Sequence, residues 1–473
     1  MALSPGDAVR PRLRSATRSA PTLPAVDALI AKANLGGRVA YAVADARTGQ
    51  LLETRSHLRA MPPASVTKAV TALYALEHLG PDYRYRTRLL ATGPISDGVL
   101  QGDLVLEASG DPVLMTDDLG RMTEELEAAG VRSVSGRFLV FMPKFAEAPQ
   151  IDHSQPHQVS YNPGVAGLNL NLNRVHFEWK REGKDHAITM QARGAKYRPA
   201  CNTSHMEIVD RPGPVYDFMR TDGVDRWTVA RGALGSKGAR WLPVRDPVDY
   251  ALDAFRTLAR SKDISLPNPQ RTARPAQGTV LAEEVSPEMS QILRRMLKVS
   301  TNLTAEVVGQ TATLASGKRP GSIRGSATAM SDWLGEVSGA RRPDFVDHSG
   351  LGVANDISPA DMVAALVHAG PDGALASLMK PWRFRTSGGG VDRNNPVQVP
   401  AKTGTLNFVS GLGGFIKPPE GRALAFAIFA ADEPRRMALS RAERERAPGA
   451  KSWSRRARTL DDALIKRWVS LYV

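Results

Sequence analysis

From about Tyr85 to about Leu281 the chain changes texture, and no other feature of the sequence constrains its fold as much. Ahead of this stretch, "RVAYAVADARTGQLLETRS" carries two runs of period-two apolar residues around a turn at Arg47–Gly49, the pattern of a β-hairpin. Pro62–Pro63 then breaks the chain, and a helical pattern runs from Ser65 through Val66, Ala69, Val70, Leu73 and Leu76 to a stop at Gly80–Pro81. The stretch itself holds short strand-like pieces ("GDLVLEASGDP", "VSGRFLVFM"), a turn-rich middle from Leu168 to Pro243 and a helix at "VDYALDAFRTLAR". Helix returns with "SPEMSQILRRMLKVSTNLTAEVVGQTATLAS". Two or three neighbouring strands follow in "VQVPAKTGTLNFVSGLGGFI" and "RALAFAIFAAD", and a last helix spans about Ser454 to Ser470.

This order predicts an insertion with its own subdomains, one nested in another. The expected division is a loosely held leader at 1–23; a domain from 24–85 and 282–473; an inserted domain from 86–167 and 244–281; and a nested one at 168–243.

At 473 residues, with 42% hydrophobic and 23% charged, the chain is long enough for a substantial core and has the balance of a globular protein. Its longest apolar run, "ALAFAIFAA" at Ala423–Ala431, has strand length and falls short of a membrane span. A net charge of +14 favours anionic partners. Much of the excess lies in "RPRLRSATR" and between Arg435 and Arg458, which read as solvated tails and helix faces, without the aromatic-interleaved signature of a nucleic-acid binder. Cys201 is the only cysteine, which rules out an internal disulfide and a cysteine metal cluster.

Three short motifs carry chemistry. "SVTK" places Lys68 three positions after Ser65, "STN" spans Ser300 to Asn302, and "KTGT" runs from Lys402 through Thr403 and Gly404 to Thr405. In the first turn of a helix, positions i and i+3 share a face, so the Lys68 amine lies beside the Ser65 hydroxyl. A lysine withdrawn from water among other cations loses its proton more readily and can take the part of a histidine base. A serine in that place otherwise serves as a helix N-cap.

In the second motif Ser300 can relay a proton while the Asn302 amide holds a substrate backbone group. In the third, Gly404 permits close approach, Lys402 presents a cation, and Thr403 and Thr405 can bond a terminal carboxylate. The backbone N–H groups of Ser65 and Thr405 are candidates for an oxyanion hole. A second serine–lysine pair, Ser377 and Lys380, runs straight into Pro381 and reads as a decoy. No Gly-x-Ser-x-Gly elbow and no His-Glu-x-x-His pattern is present, and His348 in "DHSGL" reads as a satisfied structural histidine.

Together with "GDLVLEASGDPVL", "KVSTNLTAE" and "DHSGLGVANDISP", these motifs resemble those of the class C, type 4 penicillin-binding proteins, the serine D-alanyl-D-alanine carboxypeptidases/endopeptidases of peptidase family S13. The 235 positions between Ser65 and Ser300 match that family's large insertion, where a class A β-lactamase has only a few dozen.

The resemblance implies an α/β (α+β) transpeptidase-like domain, an antiparallel sheet flanked by helices, with two nested inserted domains. It implies that Ser65 is acylated by peptidoglycan stem peptides ending in D-Ala-D-Ala and that Lys68 is the base. Ser300 would pass a proton to the leaving D-alanine, Asn302 would position the substrate, and Lys402 with Thr403 would grip its carboxylate or polarise Ser300. β-Lactam antibiotics are then covalent inhibitors. No cofactor, metal or nucleic acid is expected, and peripheral contact with an anionic membrane is left open.

After "SGL" the family usually continues Ser-Arg-x-Asn, whereas this chain has Gly352-Val353-Ala354-Asn355, so a cation near the stem peptide is missing. The N-terminus lacks the apolar centre of a secretory signal, yet the implied substrate lies outside the cytoplasm. The expectation is therefore a periplasmic enzyme whose leader is absent from this sequence or whose start is misassigned. Two alternatives remain: a β-lactamase or esterase-like hydrolase of the same superfamily, and a non-catalytic peptidoglycan-binding scaffold. Against the first, no Glu-x-x-Leu-Asn element is found.

Overall fold

The computed structural model describes residues 24–341, 343–386 and 390–473. The leader expected at 1–23 lies outside the described residues.

Both chain ends build one six-stranded antiparallel sheet. Its order is Lys380–Pro381, Pro400–Leu406, Val409–Ile416, Leu424–Ala431, Arg38–Asp45 and Leu51–Arg55. Arg38–Asp45 and Leu51–Arg55 form the expected hairpin, with Gly49 in the turn at φ +74°. The central strands are buried on both faces, and the alanines of two of them gather on one face. Ala40, Ala42, Ala44, Ala425 and Ala427 face a layer of helices that includes Thr67–Leu79, Asn302–Ala315 and Pro359–Ala369. Val39, Tyr41, Val43, Phe426 and Ile428 face the long C-terminal helix Ala450–Tyr472 through Trp453, Leu464 and Trp468. The alanines let helices seat close to the sheet, with Phe415 and Phe429 filling the remaining space on that face, while larger side chains pack beneath the single C-terminal helix.

Thr67–Leu79 is buried along most of its length, as a central helix must be, and stops at Gly80 with φ +79°. The helical run read from Ser286 to Ser316 is in fact two helices, Met289–Val299 and Asn302–Ala315, broken at Ser300. Ser300 is left-handed at φ 62°, ψ 39°, so tertiary structure imposes a break that local propensity does not announce.

The inserted segment folds on a mixed five-stranded sheet ordered Pro269–Thr272, Phe138–Phe141, Leu104–Ala108, Arg86–Ala91 and Thr279–Val285. Two three-stranded sheets lie between Arg174 and Pro243. Thr279–Val285 pairs antiparallel with Arg86–Ala91, so it runs across the division expected at 281/282 and belongs to the insertion to its last residue. The nested segment shares one hydrophobic cluster with the rest of the insertion. Phe177, Trp227, Val229 and Leu242 join Leu106, Phe138, Tyr250 and Phe255 in it. Among the described residues no helix is long and apolar enough to cross a membrane.

Candidate active site

Pro62–Pro63 leads into Ala64, which stands left-handed at φ 48° and opens a single 3-10 turn, Ala64–Val66, ahead of the helix Thr67–Leu79. Ser65 therefore sits in this turn and does not cap the α-helix, whose N-cap position is Val66. Its hydroxyl instead accepts a hydrogen bond from Lys68 Nζ at 3.0 Å.

The strained turn is held from two sides where only glycine fits. A Cβ on Gly404 would stand 2.5 Å from the Pro63 carbonyl oxygen and 3.0 Å from Ser65 N, and one on Gly350, at φ +75°, would stand 1.9 Å from the Ala64 carbonyl oxygen. Strain of order 1–3 kcal/mol in such a residue persists where packing over-determines it, as it does here.

Lys68 is fully buried and holds three short contacts: Ser65 Oγ, Asn302 Oδ1 at 2.7 Å and the Ser349 carbonyl oxygen at 2.6 Å. Burial brings its pKa down to about 8, against the opposing pull of Asp347 and Glu306. Glu306 lies one helical turn after Asn302 and so on the same face. It is fully buried, accepts from His348 N at 3.1 Å, and is pushed up to about 8 by burial and then by Asp347. Asp347 is wrapped by the backbone N–H groups of Ser349, Gly350 and Gly352 at 3.0, 2.6 and 2.6 Å, which fixes the loop whose carbonyl holds Lys68. His348 points away into the core, with Nε2 2.8 Å from Ser326 Oγ, and burial pushes it down to about 3. It is a neutral structural histidine.

Lys402 Nζ donates to Ser300 Oγ at 3.1 Å. Burial first, then the neighbouring charges of Lys68 and Lys380, hold its pKa well below the usual lysine range. The left-handed Ser300 lets the chain turn between two helices while its hydroxyl reaches Lys402. The Asn302 amide is oriented at both ends, since Nδ2 donates to the Tyr161 carbonyl oxygen of the inserted segment at 2.9 Å. Its second N–H remains for a substrate group.

Ser65, Ser300, Asn302, Thr403 and Thr405 line a single cleft of about 1350 Å³, with Lys68 and Lys402 buried in its wall. The short strand Lys380–Pro381 pairs only with Pro400 and Ala401, so the edge of the Lys402–Leu406 strand lies beyond that pairing. Of the decoy pair, Ser377 bonds back to the Ala374 carbonyl, but Lys380 lines the cleft and lowers the pKa of Lys402, a role its motif did not signal. Tyr161 was not singled out, and Glu306 and Asp347 were quoted only as the last residue of "KVSTNLTAE" and the first of "DHSGLGVANDISP", with no role given to either.

A serine–lysine pair at the start of a buried helix, with a second such pair across one cleft on an antiparallel sheet, defines a serine hydrolase of the penicillin-binding, β-lactamase-like fold. The chain belongs to the D-Ala-D-Ala carboxypeptidase 3 (S13) family, whose model matches residues 23–447. It is 28% identical over 457 residues to the D-alanyl-D-alanine carboxypeptidase of Actinomadura sp. (strain R39), covering 85% of this chain and 79% of the relative. It is 24% identical over 421 residues to the D-alanyl-D-alanine carboxypeptidase DacB of Haemophilus influenzae, covering 83% and 85%. The crystal structure of penicillin binding protein 4 (dacB) from Haemophilus influenzae shares the fold with a TM-score of 0.71 at 22% identity, over 86% of this chain and 93% of that one.

Proposed function

We propose that this protein removes the terminal D-alanine from peptidoglycan stem peptides through an acyl-enzyme on Ser65, and that β-lactams acylate the same hydroxyl. The observation that carries the reading is the 3.0 Å contact between Ser65 Oγ and a fully buried Lys68 Nζ whose pKa is lowered to about 8.

In its neutral form Lys68 takes the Ser65 proton as Oγ attacks the carbonyl carbon of the penultimate residue. Negative charge then develops on the carbonyl oxygen, beside the backbone N–H groups of Ser65 and Thr405. Losing one such donor typically costs about 3 to 4 kcal/mol. Ser300, polarised by Lys402, delivers its proton to the departing amine and takes up the one Lys68 removed from Ser65, and the C–N bond breaks to release D-alanine. Thr403 and Thr405, both exposed to the cleft, hold the terminal carboxylate. Water attacks the ester by the reverse proton path and frees Ser65.

A digest of purified muropeptides, read by mass, tests this reading. Loss of one alanine from pentapeptides by wild type and not by Ser65→Ala supports it, and intact pentapeptides after prolonged digestion contradict it. Scission of cross-linked dimers in the same digest reports endopeptidase action. With such a substrate the enzyme works in the periplasm, where its basic surface can make peripheral contact with an anionic membrane. Recovery of the native protein in a periplasmic fraction supports that placement, and recovery in the cytosol opposes it.

A further inference from the structure

A second cavity lies on the outer face of the nested segment and shares no lining residue with the catalytic cleft. The strands Arg174–Glu182 and Lys237–Pro243 pair antiparallel, with Trp241 opposite His176 and Ala239 opposite Glu178. Alternation along the strands turns Val175, Phe177 and Leu242 into the hydrophobic cluster and leaves those four residues on the other face. There they form one side of a pocket of about 540 Å³, within the size range of small-ligand sites. The opposite wall is the loop after the neighbouring strand, pinned by Asp117. Its carboxylate accepts from Ala195 N at 2.8 Å and from Lys196 N and Tyr197 N, both at 3.0 Å. Only glycine allows this approach at position 194, since a Cβ on Gly194 would stand 2.2 Å from Asp117 Oδ1. The pocket is therefore held open by contacts within the chain.

The groups left free in it define what it can hold. Arg193 is neutralised by an ion pair with Glu178, and its Nη1 also donates to His176 Nδ1 at 3.3 Å. Burial, and then Arg193, hold the pKa of His176 below the usual histidine range, so its ring is neutral and carries its proton on Nε2. Among the described residues His176 Nε2, Trp241 Nε1 and Glu178 Oε1 have no hydrogen-bond partner, which leaves two neutral donors and one acceptor. They stand beside the edge-to-face rings of Trp241 and His176, whose centroids are 4.8 Å apart, and the exposed side chain of Met115 adds apolar surface. The Asp117 charge is met by its three N–H donors, and Glu178 and Arg193 cancel, so the pocket offers no net charge to an ionic ligand. An uncharged ring with one apolar face and hydroxyl or amide groups around its rim matches this set. We propose that this pocket binds an N-acetylated pyranose of the peptidoglycan glycan strand, holding the polymer while the separate cleft acts on the stem peptides attached to it. The sugar's assignment to cell-wall glycan rests on the proposed carboxypeptidase reading, whereas the chemistry of the pocket does not.

The test titrates the whole chain with a tetramer of N-acetylglucosamine, a neutral N-acetylated sugar that carries no peptide, by isothermal calorimetry. Wild type should bind it with a Kd of about 1 mM or tighter. Trp241→Ala should weaken binding by about tenfold or more. Ala239→Phe, which fills the pocket from the same strand, should weaken it as much, with thermal melts confirming that each variant folds. Neither residue lines the cleft, so both variants should release D-alanine from a free pentapeptide with the wild-type kcat/KM. The absence of saturable binding to wild type, or wild-type affinity for the tetramer in either folded variant, overturns the inference. The pentapeptide assay separates the two levels. A wild type that releases D-alanine and ignores the sugar defeats the pocket assignment alone; one that binds the sugar through Trp241 and leaves the pentapeptide intact keeps the pocket and defeats the carboxypeptidase reading.

Discussion

At the scale of single residues, the Ser65–Lys68 contact and the burial of Lys68 set the pH behaviour. A lysine works as a base only when neutral, and burial brings its pKa to about 8, so the basic form is scarce below that pH and abundant above it. The acylation rate constant should therefore rise with pH through about 8 and fall by about tenfold per pH unit well below it. A stopped-flow series with a chromogenic β-lactam checks this, and a flat profile between pH 6 and 9 would count against Lys68 as the base. Lys68→Ala should lose acylation by about a thousandfold in the same assay. The Ser–Lys spacing was legible because helix geometry alone places i and i+3 together. The burial that lowers the lysine's pKa was not, nor were the carboxylates of Asp347 and Glu306 that oppose it, since these and the Ser349 carbonyl reach Lys68 from segments that no local pattern connects to it. Lys380 shows the opposite failure: dismissed with its motif, it is a cation of the cleft.

At the scale of elements, the site depends on how closely a strand and a loop press on the nucleophile turn. Gly404 and Gly411 are register partners, and a Cβ on either would stand 2.5 or 2.7 Å from the Pro63 carbonyl oxygen. Gly404→Ala should push the Lys402–Leu406 strand off the turn and cut acylation by about a hundredfold, because ångström-scale misplacement of reacting groups costs that much. Gly350→Ala should add destabilisation to lost activity, since it puts a side chain at φ +75° against the Ala64 carbonyl. Calorimetry beside the acylation assay separates the two effects, and a Gly350→Ala protein with wild-type melting and acylation would contradict this packing. The hairpin and the terminal strands were readable from their period-two apolar residues. The break at Ser300 was not, because neither glycine nor proline marks it and its left-handed geometry is imposed by the surrounding fold.

At the scale of the whole molecule, the change of texture along the chain revealed an insertion, and the family resemblance implied a sheet-bearing domain formed from both chain ends. Neither revealed that the insertion reaches back into the site, where the Tyr161 carbonyl holds Asn302 and Arg441 and Arg444 bond the Gln155 and Ser154 carbonyls. These are backbone carbonyls, which have no signature in side-chain patterns. On the far face, Leu464 is fully buried between the C-terminal helix and the sheet, and Leu464→Ala should cost about 2 to 5 kcal/mol, read as a lower melting temperature. The central claim concerns one atom, Ser65 Oγ. Its most direct test is to incubate the protein with a penicillin and map the adduct by peptide mass spectrometry. The account predicts a single covalent penicilloyl group on the peptide containing Ser65, absent from Ser65→Ala; an adduct on another serine such as Ser377, or none on folded wild type, would contradict it.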